Sequence, residues 1–85
     1  MNNELILNLL LKIPAISDKY SKDVLLNKLI KQRNDAVIII DFPDISLKQN
    51  EIDSFNNSLK SKKISGSIGI TKPSNILVLT IEQLP

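Results

Sequence analysis

Between residues 3 and 13 the polar side chains Glu4, Asn8 and Lys12 recur every fourth position, and Leu5, Ile6, Leu9, Leu10 and Ile13 fill the opposite side. This period predicts a helix with a wide apolar arc, and Leu7 and Leu11 lie on its flank. Pro14 ends it, because the residue before a proline is pushed out of the helical region. A second helix is predicted from Ser21, whose hydroxyl can accept a first-turn N–H, with Asp23 favourable to the N-terminal dipole. Tyr20 is placed to pack on Leu25 as a hydrophobic staple, and Val24, Leu25, Leu26, Leu29 and Ile30 give the apolar face.

The period then changes. Ala36-Val37-Ile38-Ile39-Ile40 is a mostly β-branched run without polar alternation, which predicts a strand buried on both faces. Asp41-Phe42-Pro43-Asp44 reads as a turn. Ser46 and Gln49 stand as N-cap and N3 of a capping box, opening a helix over about 47–61 that packs by one stripe, Ile52, Phe55 and Leu59. Over 64–70 the alternation is clean: Ile64, Gly66, Ile68 and Ile70 face one way and Ser65, Ser67 and Gly69 the other, as in a half-exposed strand. After a turn at 71–75, Ile76-Leu77-Val78-Leu79-Thr80-Ile81 predicts another strand apolar on both faces.

The predicted fold class is α+β: two N-terminal helices, then strand–helix–strand–strand forming a small three-stranded mixed sheet in the order 1-3-2. A right-handed crossover makes the first two strands parallel, and the last, strongly apolar strand returns antiparallel between them. The third helix is expected on one sheet face and the N-terminal helices on the other. One domain, 1–85, holds a helical part (1–34) and a β-α-β-β part (35–85), since a chain this short supports one core.

Composition narrows the function. Apolar residues make up 42% of the 85, enough for a folded core, while His and Cys are both absent. The usual general base, nucleophilic thiol and soft metal ligands are therefore missing, and no cofactor is expected. A chain without disulfides fits a reducing compartment. With no positive n-region ahead of it, and too short to cross a bilayer, the Leu5–Leu11 stretch points to a soluble cytoplasmic protein with no membrane partner.

Eleven basic against nine acidic side chains leave +2, too small an excess to specify nucleic acid without clustering. The groups Lys28, Lys31, Arg33 and Lys60, Lys62, Lys63 each sit at a helix C-terminus, where cations favour the exposed carbonyls. The first group is the candidate phosphate contact of a nucleic-acid-binding or Mg-dependent nuclease reading. In that reading Asp41 and Asp44, at the end of the first strand, would hold the metal; otherwise they belong to a turn leading into a helix. The Ser65–Gly69 stretch lacks the strand-to-helix context and the Lys-Ser/Thr ending of a phosphate loop.

The preferred expectation is a non-enzymatic interaction module with a protein partner, most simply a second copy. Its candidate interface is the Leu7 and Leu11 flank together with a free strand edge at Ile64, Ile68 and Ile70. Leu9-Leu10, Ile13-Pro14, Ile16, Asp18, Ser21-Lys22-Asp23, Leu25-Leu26 and Leu29 resemble the opening of bacterial effector-associated domains, the small death-like adaptors of conflict systems. The resemblance covers about a quarter of the chain. Lys22 stands where arginine is usual, and strands follow Asn34 where such domains stay helical. It implies an adaptor that recruits an effector through like-with-like contacts and carries no active site.

Overall fold

A computed structural model describes residues 3–31 and 37–82. The elements are α1 (Asn3–Leu11), α2 (Pro14–Ser17), α3 (Lys22–Lys31), β1 (Val37–Phe42), α4 (Gln49–Ser61), β2 (Gly66–Thr71) and β3 (Ile76–Glu82). Ala36 and Arg33 lie outside the described residues.

Pro14 has two roles. It ends α1, and with no N–H to lose and a preset φ it opens the single-turn helix α2, which the sequence pattern did not predict. Ser21 caps α3 as expected, its Oγ accepting the Val24 N–H at 3.2 Å. At the start of α4 the cap is shifted. Lys48 is the N-cap, and Glu51 at N3 accepts the Lys48 N–H at 3.0 Å. Ser46 is displaced from that role because Ile45 and Leu47 on either side are both buried, which holds 45–47 extended and delays the helix by two residues.

At the other end of α4, the Ile64 N–H donates to the Leu59 carbonyl (2.9 Å) and the Lys63 N–H to that of Lys60 (3.0 Å). Lys63 sits at φ 59 between them. These are the two bonds of a Schellman stop, with a lysine in the left-handed position that glycine usually takes.

The three strands order β1-β3-β2, and both hydrogen-bonded pairs are antiparallel. β1 and β2 run in the same direction but never touch, because β3 lies between them. The sheet is mixed only in that sense. Val37–Phe42 pairs with Glu82–Leu77, and Gly66–Thr71 with Ile81–Ile76.

The helices form one layer. α4 packs over β2, α3 over β1, and α1 touches both α3 and α4. The side of the sheet beneath them is sealed by Ile38, Ile40, Phe42, Leu77, Leu79, Ile81 and Ile68, which join Ile6, Leu7, Leu10, Leu25, Leu29, Ile52, Phe55 and Leu59 in the core. Two expectations are thereby corrected. The helices do not divide between the faces, and β1 is not buried on both sides: Ile39 is 43% exposed and Asp41 is exposed, alternating with buried Ile38, Ile40 and Phe42. The β1–β2 crossover through α4 and the α1–α3 unit share one side, so half of a doubly apolar sheet stays bare.

Candidate interaction surface

The bare face carries Ile39 and Asp41 of β1, half-buried Ile76, Val78 and Thr80 of β3, and Ser67, Gly69 and Thr71 of β2. Around Gly69 the surface is open, with no atom within 4 Å of where a Cβ would stand. Aliphatic groups at the centre thus grade into small side chains at the β2 margin.

The backbone direction at each edge follows from one bond. The Glu82 N–H donates to the Ser65 carbonyl at 2.8 Å, so alternate residues of β3, Ile76 to Glu82, turn toward β2, while Leu77, Leu79 and Ile81 turn toward β1. On β1, Ile38, Ile40 and Phe42 are then bonded inward, and the N–H and C=O of Ile39 and Asp41 point off the outer edge. By the same alternation the Ile68 groups point off the outer edge of β2. Here the sheet is closed by a side chain. The Asn56 amide on α4 donates to the Ile68 carbonyl (3.0 Å) and accepts the Ile68 N–H (2.7 Å), as a neighbouring strand would. The two edges are therefore unequal: β2 is stopped at its middle, whereas no side chain among the described residues takes the outward groups of Ile39 and Asp41 on β1.

The residues expected at an interface separate on this geometry. Leu7 is fully buried and Ile68 is 2% exposed, so neither has surface for a second chain. The α1 arc is wide because the helix is enclosed by α2, α3 and α4, and Leu11 is half-buried against the same core. Ile64 is half-buried as well, at the residue that closes the α4 stop. Only Ile70, 46% exposed, remains outside. The other large exposed aliphatics among the described residues are Val24 and Ile30 on α3, at 44% and 56%, and Ile39 on β1. β1 and α3 are packed on each other, so three of these four lie at the β1 side of the molecule.

The polar candidates do not converge. Phe42 faces the core and meets Tyr20 edge-on, with centroids 5.7 Å apart at 71°. Burial raises the Tyr20 pKa above its ordinary value, and the Asp44 charge adds to it. The Asp44 backbone carbonyl accepts from Lys19 Nζ at 2.8 Å, whereas the Asp41 side chain projects from the bare side. Asp41 lies within β1 and Asp44 in the turn beyond its end, and the described residues hold no cluster of three or more Asp or Glu that could hold a metal. Lys28 lies over the Tyr20 ring at 5.3 Å, a cation–π contact that occupies it locally. Lys31 is exposed, and Arg33 is outside the described residues.

A cleft of about 250 Å³ between the α1–α2 junction and α4 is lined by Leu9, Ile13, Pro14, Phe55, Lys12 and Glu51, with Asn50, Ser54 and Ser58. It falls below the usual range for small-molecule sites, roughly 300–1,000 Å³, and its one carboxylate, Glu51, is used to cap α4.

The Asn56 clamp and the bare face left no signal in the sequence. Asn56 reads as one more polar residue on a solvated helix, and Ile39 is indistinguishable from its buried neighbours in an unbroken run. Among the described residues, fold and surface together define a two-layer α+β module with one uncovered sheet face and one strand edge open at Ile39 and Asp41. Comparisons with protein families, curated proteins and solved structures find no match to this chain. No described helix is long and apolar enough to cross a membrane.

Proposed function

We infer that the chain is a non-catalytic protein–protein interaction module that self-associates, an adaptor of the kind used in bacterial signalling or defence. The observation that carries this reading is the bare sheet face, because aliphatic side chains on a regular sheet are normally covered by a second layer. Ile39, Ile76 and Val78 supply that surface, joined at one side by the outward backbone groups of Ile39 and Asp41 on β1. The likeness of the Leu9–Leu29 pattern to effector-associated domains supports an adaptor role, although the strands that follow belong to a different architecture.

The test is sedimentation velocity over a concentration series reaching millimolar. Reversible growth beyond the 9.5 kDa chain is the expected result. A monomer at every concentration would refute self-association.

A further inference from the structure

The geometry points to a second copy of this chain as the partner, joined by antiparallel pairing of β1 with β1 about a two-fold axis at Ile40, in a dimer that stops at two. This deepens the self-association reading and rests on it, placing the contact at the edge of the bare face rather than across it. A strand edge is self-complementary under a two-fold axis, because an antiparallel neighbour presents the same donors and acceptors in reverse order. With the axis at Ile40, Ile39 meets Asp41 of the partner subunit, and Asp41 meets Ile39 of the partner subunit. The outward N–H and C=O of these two residues then make four bonds, and the two three-stranded sheets become one of six strands.

Charge is compatible with this register. Asp41 is the one charged residue of Val37–Phe42, and it lies across from an isoleucine rather than its own equivalent, avoiding the like-charge opposition that weakens strand pairs. The axis runs normal to the sheet, so both helical layers fall on the same side. The helix packed on β1 is α3, which carries exposed Val24 and Ile30, and the pairing sets the two α3 helices at the same junction. Extension of the paired sheet past six strands would require the β2 edge, where Asn56 already takes both backbone groups of Ile68. One open edge and one stopped edge give a closed pair rather than a fibre.

The test combines sedimentation velocity with amide hydrogen exchange on the full chain and on Ile39→Pro. The Ile39 N–H points off the sheet, so proline there removes no bond within the subunit, a position at which edge strands tolerate it. Expected are a particle of twice the 9.5 kDa chain, Ile39 and Asp41 amides that gain protection as concentration rises, and a folded Ile39→Pro variant whose dimer dissociates about tenfold more readily or worse. If Ile39→Pro fails to fold, the two wild-type amides decide alone. A dimer in which those amides still exchange freely overturns the β1 pairing while leaving self-association standing. A monomer throughout overturns both, and species that keep growing with concentration overturn the closed two-fold arrangement.

Discussion

Replacing Asn56 by alanine tests whether one side chain stops the β2 edge. The amide makes two hydrogen bonds to the backbone of Ile68, at 2.7 and 3.0 Å, in a partly buried setting. At a net ~1 kcal/mol for each bond the clamp contributes about 2 kcal/mol. Alanine is the better helix former by about 0.6 kcal/mol, which offsets part of that loss. The net destabilisation is then about 1.5 kcal/mol, or a Tm lower by about 6–12 °C in a domain of this size. Asn57→Ala supplies the control, since Asn57 is exposed on the same helix and gains propensity without losing the clamp. Urea or thermal unfolding of the two variants should differ by about 2 kcal/mol, with Asn57→Ala the more stable. Hydrogen exchange localises the effect: the Ile68 amide loses protection in Asn56→Ala, while Ser67 and Gly69, bonded to β3, keep theirs. Equal stabilities within about 0.5 kcal/mol, or an unchanged Ile68 amide, would refute the argument that the clamp exceeds the helix term. The same variant removes the stop and is expected to add species larger than a dimer in sedimentation.

Tyr20 is the only tyrosine and there is no Trp, so ultraviolet absorbance near 295 nm reports its ionisation directly. Its pKa is raised above 10.0 in the folded chain by burial and then by Asp44, so folding favours the neutral phenol. That stabilisation is fully present below the unfolded pKa and is lost as pH climbs through the higher folded one. The native midpoint should fall partway in Asp44→Asn and return to the ordinary value in urea; a native midpoint at or below the unfolded one would contradict this. Lys63 holds φ 59, so Lys63→Gly should stabilise the domain by about 1 kcal/mol in urea unfolding, whereas a loss would mean the lysine side chain matters more than its backbone. At Gly66 a Cβ would strike the Thr80 carbonyl oxygen and lie 2.8 Å from Ile81 Cδ1, while at Gly69 it meets nothing. Gly66→Ala is therefore expected to cost more than about 1 kcal/mol and Gly69→Ala less than about 0.5, with thermal unfolding as the check.

Local chemistry made much of the fold readable in the sequence. Ser21 caps α3 and Ile52, Phe55 and Leu59 form the buried stripe of α4, because each rests on a spacing or hydrogen bond within a few residues, and the unbroken apolar run of the third strand marked it for the centre of the sheet. Where two local signals competed, burial decided: Ser46 had the sequence of a cap, but Ile45 and Leu47 were drawn into the core and the helix began later.

What the chain could not declare was which of its apolar residues would be covered. Leu7 and Ile39 look alike in the sequence, yet one is sealed beneath three helices and the other stands 43% exposed, because that outcome depends on which side of the sheet the connections pass. The same holds for polar groups. Asn56 becomes an edge stop only once helix and strands are docked, since hydrogen bonding acts over a few ångströms of space and not along the chain. Periodicity set the elements and their order; docking the helical layer on one face chose the surface left for a partner.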